Sequence, residues 1–168
     1  MGTGGLFLRK LRAKVSEQPT GFVWVVKGKL AGSGYPASRG QLEWLRDHGV
    51  NSILTLTEYP LPSRWLEGLA VEIHHIPMSD HGTPDRASLE KAATLVREWA
   101  KEGRTTLVHC LAGEGRTGCV LAAYLIKDRG MTAQEAMATL RRIKPLFIEK
   151  EQEAAVVEFA QAAKPQTN

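Results

Sequence analysis

Cysteine is scarce in this chain: only Cys110 and Cys119 occur in 168 residues. Two cysteines make no disulfide framework, so the sequence reads as one kept in a reducing compartment, where a thiol stays available for chemistry. Long apolar runs are missing too. The longest, Cys119 to Ile126, falls far short of the ~20 residues that span a bilayer. Leu6-Phe7-Leu8 is too short for a secretory signal, and Leu6 stands where a myristoylation pattern needs Ser or Thr. The formal charge is +4 and aromatics make up 7% of the chain. No dense Lys/Arg stripe interleaved with aromatics accompanies that charge, so nucleic acid has no footprint here. The expectation is a cytoplasmic, soluble, monomeric protein with neither a nucleic-acid nor a membrane partner.

What is present is ordinary for a globular protein: 43% hydrophobic and 24% charged residues. That length and composition fit one domain around one core. Residues 1–20 read as a lead-in, 21–163 as a single domain and 164–168 as a tail.

Strand and helix patterns alternate between these ends. Phe22 to Val26 is β-branched and aromatic, and Lys29 to Ala31 continues the sheet after a turn at Gly28. Ser38 with Gln41 reads as a capping box opening a helix that stops near Gly49. Ser52 to Leu56 and Val71 to Ile76 are further strands. Pro84 suits the first turn of a helix reaching Glu102, before Gly103. A strand at Thr105 to His109 precedes a helix from Thr117 to Arg129. Thr132 with Glu135 caps a helix to Ile143, and a last helix covers Glu149 to Ala163. Strands separated by helices imply right-handed parallel crossovers, hence an α/β fold with a central, mostly parallel sheet flanked by helices. Ligands in such sheets bind beyond the carboxyl ends of the strands. Those ends fall after Ile76 and after His109.

The segment His109-Cys-Leu-Ala-Gly-Glu-Gly-Arg-Thr-Gly118 sits at such an end. A tight glycine-bearing loop running into a helix N-terminus presents backbone N–H groups that cradle an anion. Leu111, Ala112, Gly113, Glu114 and Gly115 form that cradle with Arg116. Cys110 would lie beneath a bound phosphorus, where the same donors favour its thiolate. The planar fork of Arg116 matches two phosphate oxygens. Thr117 is placed to hydrogen-bond the cysteine sulfur when it leaves, and His109 to hydrogen-bond the loop backbone and support the thiolate. Cys119, in the first turns of an apolar helix, reads as buried packing.

This loop resembles the signature of the protein tyrosine and dual-specificity phosphatases. More narrowly, it is similar to small single-domain dual-specificity enzymes of archaeal type. Leu30-Ala-Gly-Ser-Gly-Tyr-Pro36, Ile53-Leu-Thr-Leu-Thr-Glu58, Ile76-Pro77 and Glu151-Gln-Glu153 support the resemblance, which runs from Phe22 to Phe159. It implies hydrolysis of phosphotyrosine, with phosphoserine or phosphothreonine, in phosphorylated proteins or peptides, and no metal or other cofactor.

A thiolate that attacks a phosphate ester needs a proton donor for the departing oxygen. Asp80 is the choice, in a glycine-bearing loop ahead of a proline. Some relatives carry the acid directly after the Ile-Pro pair, where this chain has Met78. Asp85 is the fallback, though it stands where an aspartate caps a helix; His81 could assist but reads as a surface-loop histidine. By resemblance Gln152 faces the loop and orients the attacking water; Lys150 replaces a tyrosine common in relatives, so a plain solvent-facing Gln152 stays open. Glu58 either braces Arg116 or is an unrelated loop carboxylate. Adjacent His74 and His75 point to opposite strand faces and make no metal pair. The alternatives are a non-catalytic phosphate-binding module and a phosphatase of a non-protein substrate such as an inositol phospholipid. The loop carries no lysine, and Glu114 disfavours the latter.

Overall fold

The computed structural model describes residues 18–163. The lead-in up to residue 17 and the tail from residue 164 lie outside the described residues. A hairpin opens the sheet, with β1 (Val23–Val26) antiparallel to β2 (Leu30–Ser33). There follow α1 (Arg39–Asp47), β3 (Ser52–Thr55), a one-turn α2 (Ser63–Leu66), β4 (Glu72–His75), α3 (Arg86–Lys101) and β5 (Thr106–His109). The chain then runs through α4 (Gly115–Arg129), α5 (Ala133–Ile143), a 3₁₀ turn at Lys150–Gln152 and α6 (Glu153–Ala163). The five strands are ordered β1-β2-β5-β3-β4. Every pairing except the first is parallel.

Every residue of β2, β3 and β5 is buried, because helices cover both faces of the sheet. The strand period of two divides the apolar residues. Leu54 and Val108 join one core with α3, α4, α5 and α6, while Ala31, Ile53 and Leu107 join another under α1 and α2. The helix α4 is buried from Gly115 through Ile126, as expected for a helix apolar on all sides. Among the described residues no helix is long and apolar enough to cross a membrane.

Some boundaries differ from the sequence reading. The helix after the loop begins at Gly115, not Thr117, so Arg116 sits in its first turn. The last helix begins at Glu153, because the chain first makes the 3₁₀ turn. The Ser38 hydroxyl accepts from Gln41 N–H, but Gln41 returns its bond to Ala37 N–H, so the capping box is incomplete. Thr132 and Glu135 complete theirs.

Register places the site. Ser33 and Thr55 flank His109 on neighbouring parallel strands, and Thr55 is paired with His75. The carboxyl ends of β2, β5, β3 and β4 therefore lie side by side, and the chain leaving each of them meets the others.

Candidate active site

The loop after β5 is forced into shape at Gly113. Its φ is +73°, and a Cβ there would lie 2.2 Å from the Ser33 carbonyl carbon. Only glycine permits that approach of the loop backbone to β2. Glu114 takes the N-cap position of α4 without a side-chain cap, leaving the first-turn amides available to an anion. Lys144 Nζ donates to Gly113 O at 2.9 Å. The loop interior has no lysine, yet a cation from the end of α5 is fastened to its outer side.

Cys110 is 2% exposed. The Thr117 hydroxyl donates to its Sγ at 3.1 Å, because the residue two places into α4 points back under the loop. His109 is fully buried between its neighbours. Its Nδ1 lies 3.2 Å from Cys110 O and its Nε2 lies 2.9 Å from Thr55 Oγ1. Burial pushes the His109 pKa down to about 4, so the ring is neutral near pH 7. A neutral ring satisfies both contacts when Nδ1 donates to the carbonyl and Nε2 accepts from Thr55. Histidine thus supports the loop by hydrogen bonding rather than by positive charge.

Arg116 is 2% exposed, and a guanidinium this buried requires partners. Its Nη1 donates to Met78 O at 3.0 Å and to Glu58 Oε2 at 3.3 Å. Its Nη2 donates to Asp80 Oδ1 at 2.7 Å. Glu58 does a second thing: its Oε1 accepts from Asp80 N–H at 2.7 Å. The Glu58 pKa is lowered by hydrogen bonds from its own and Asp80's backbone, with Arg116 adding to the effect. Glu58 therefore braces Arg116 and also holds the loop that carries Asp80.

Asp80, His81, Cys110, Leu111, Ala112, Gly115, Arg116, Glu149 and Gln152 enclose a pocket of about 70 Å³. Asp85, the fallback carboxylate, is not among them. It caps α3, accepting from Ser88 N–H at 2.9 Å and from the Ser88 hydroxyl at 2.7 Å. Those bonds lower its pKa, the hydroxyl bond most. Gln152 is buried, which overturns the solvent-facing reading. Its Nε2 donates to Gly82 O at 3.1 Å, and its Oε1 accepts from Glu149 N–H at 3.1 Å. A Cβ on Gly115 would lie 2.7 Å from Gln152 Oε1, so glycine lets the amide approach the loop. Cys119 is buried as expected; its Sγ lies 3.7 Å from the same oxygen, and burial raises its pKa to about 12.

His81 is an exposed loop residue, as read, and lies at the pocket rim between Asp80 Oδ2 at 3.7 Å and Glu149 Oε1 at 3.6 Å. Two participants escaped the sequence reading. Met78 serves through its carbonyl, which leaves no side-chain signature. Lys144 is 31 residues from the carbonyl it holds. Among the described residues no three His, Cys, Asp or Glu side chains are grouped to hold a metal ion. The arrangement can bind a phosphate ester against loop amides and Arg116, with a thiol below it and a carboxylic acid above.

Known proteins carry the same framework. The sequence model described as "Swiss Army Knife protein, DSP-PTPase phosphatase domain" matches residues 19–157. Phosphatidylglycerophosphate phosphatase PTPMT2 of Arabidopsis thaliana is 32% identical over 126 residues, covering 72% of this chain and 55% of the relative. Dual specificity protein phosphatase Mpk3 of Drosophila melanogaster is 33% identical over 104 residues, 61% of this chain and 25% of the relative. The chain thus spans about half of the first and a quarter of the second. The crystal structure of the archaeal Tk-PTP in its active form shares a TM-score of 0.75 at 28% identity, covering 83% of this chain and 96% of that one. A match running from the residues before the opening hairpin into the last helix is more than one shared loop: the chain belongs to the dual-specificity and protein tyrosine phosphatase family.

Proposed function

We propose that this protein hydrolyses phosphate monoesters on protein side chains, phosphotyrosine first and phosphoserine or phosphothreonine second, through a cysteinyl phosphate on Cys110. One observation carries the reading: Cys110, Arg116 and Asp80 line the same small pocket.

In the first step the ester phosphate seats against the loop amides, and its oxygens replace the Asp80 carboxylate on Arg116. The Cys110 thiolate attacks phosphorus, forming S–P as the P–O bond to the substrate breaks. Asp80, released from Arg116, takes up a proton from solvent and gives it to the departing oxygen. In the second step Asp80, now a carboxylate, takes a proton from water. The resulting hydroxide forms a new P–O bond as S–P breaks, releasing inorganic phosphate and the thiolate. The Thr117 hydroxyl at 3.1 Å stabilises that thiolate as it leaves. Gln152, buried beside Gly115, would orient the water through its remaining amide N–H. The two free thiols suit a reducing compartment, and we place the enzyme in the cytoplasm.

The likeness to the plant phosphatidylglycerophosphate phosphatase favours a second reading, a phospholipid monoester. Against it stand the carboxylates of Glu58, Asp80 and Glu149 about the pocket and the lysine-free loop interior, which disfavour a polyanionic headgroup. The test compares kcat/KM for a phosphotyrosine peptide, a phosphothreonine peptide and a soluble inositol-lipid phosphate. The peptides are expected to lead. An advantage of about tenfold or more for the lipid, well within what pocket contacts can produce, would replace the protein reading.

A further inference from the structure

Large apolar side chains seldom stand exposed without a use when they cluster. Among the described residues Tyr59 is 81% exposed and Leu111 59%; Leu111 lines the pocket above Cys110, and both line a second cleft. Leu111 belongs to the phosphate loop. Tyr59 follows Glu58, whose carboxylate meets Arg116. Together with Tyr35, Thr57 and Glu58 they line a cleft of about 250 Å³.

The walls of this cleft are fixed by the fold. Tyr35 N–H donates to Leu111 O at 2.9 Å. The Tyr35 ring meets His109 edge-on at 5.8 Å and Trp65 at 6.5 Å. The Thr57 hydroxyl donates to Tyr59 O at 2.7 Å, and Thr57 O is bonded to His75 Nε2 at 2.7 Å. Leu111 also lines the pocket above Cys110. The two cavities share that wall, so a substrate seated in one can reach the other.

We propose that the Tyr35–Tyr59–Leu111 cleft is a specificity subsite that takes an apolar or aromatic side chain adjacent to the phosphorylated residue of the protein substrate. The inference rests on the phosphoprotein reading above. Two tyrosine rings and a leucine offer an apolar seat with ring edges for an aromatic partner. Glu58, whose carboxylate is held by Arg116 and Asp80 N–H, lines the cleft, with Asp80 and Glu149 around the neighbouring pocket. Those charges disfavour an acidic residue at the flanking position. They also disfavour an anionic bilayer, which attracts cationic surfaces. A single peptide side chain is therefore the occupant, rather than a lipid surface.

The experiment uses phosphotyrosine peptides identical except at the residues just before and just after the phosphotyrosine, which carry Phe, Leu, Ala or Glu. At one of the two positions kcat/KM for Phe or Leu is expected to exceed that for Glu by about tenfold or more, mostly through KM. In Tyr59→Ala that ratio should fall to within about threefold, and Tyr59→Phe should restore it. Because the readout is a ratio within one variant, a general loss of folded enzyme does not imitate it. Equal cleavage of all peptides, or a preference that survives Tyr59→Ala, overturns the subsite and leaves the phosphoprotein reading standing. Failure to cleave any peptide, with turnover of a phospholipid monoester in vesicles, overturns both.

Discussion

Arg116 and Asp80 hold each other in a 2.7 Å ion pair across the mouth of the phosphate pocket. The candidate acid therefore already rests on the group that would bind the substrate's phosphate. On the proposed mechanism, ester binding would exchange one anion for another on the same guanidinium and leave Asp80 above the departing oxygen.

Asp80→Asn should lower kcat on the order of 10²-fold, the usual scale for a lost general acid. It should also flatten the basic limb of the pH–rate profile. Asp85→Asn should leave kcat near normal and stability little changed, because asparagine also caps a helix, whereas Asp85→Ala should lower stability by roughly 1 kcal/mol through loss of the α3 cap. Near-normal turnover of Asp80→Asn with a crippled Asp85→Asn would assign the acid to the other carboxylate.

Glu58 joins Arg116 and the Asp80 backbone at once. Glu58→Gln keeps the shape but weakens both contacts. A kcat loss larger than any change in phosphate affinity is expected, since Arg116 keeps Met78 O and the anchor of the acid loop is weakened. Loss of phosphate binding with unchanged kcat would contradict this role, and inhibition by inorganic phosphate measures it.

Gly113→Ala sets a Cβ 2.2 Å from the Ser33 carbonyl carbon in a left-handed backbone. The contact is with backbone, so relief requires the loop to move away from β2. Activity should be lost and stability lowered by more than about 1 kcal/mol. Gly28→Ala shares a positive φ of 70° but has open space, and it should keep full activity. Thermal unfolding and turnover of the pair separate loop strain from the general effect of alanine.

His109 gives the fold a defined acid sensitivity. Its folded-state pKa, pushed to about 4 by burial, lies below the ordinary value of about 6.5. The unfolded chain thus binds more protons between those values, and stability falls as pH drops through about 6.5, levelling off near 4. The shift corresponds to about 3 kcal/mol across that window. Urea unfolding at pH 7 and pH 4.5 should show the loss, and His109→Gln should show a shallower pH dependence. An identical slope in both proteins would contradict a neutral buried imidazole.

The parts of this site written in one short stretch were legible from sequence. Cys110, Arg116 and Thr117 lie within one strand–loop–helix turn, so their mutual placement follows from local geometry. The mostly parallel sheet followed from alternating strand and helix patterns, whereas the antiparallel pairing of β1 with β2 was not among the expectations. Long-range contacts were not legible. Gln152 meets Gly82 O across 70 residues, and Glu58 meets Asp80 N–H across 22. Only packing of the whole chain decides such pairs. The helix α2 was missed because one turn carries no periodicity. The exposure of His81 was legible, but its position between Asp80 and Glu149 depends on how the chain enters the 3₁₀ turn.

The covalent intermediate is the most direct test of the mechanism. Turnover of p-nitrophenyl phosphate is quenched in acid within one catalytic cycle, and the digested protein is examined by mass spectrometry. The peptide containing Cys110 should carry one phosphoryl group in the wild type and none in Cys110→Ser. That variant should still bind inorganic phosphate or vanadate, because Arg116 and the loop amides remain. An unmodified Cys110 peptide during active turnover, or a Cys110→Ser enzyme retaining more than a few per cent of wild-type rate, would contradict nucleophilic catalysis at this cysteine.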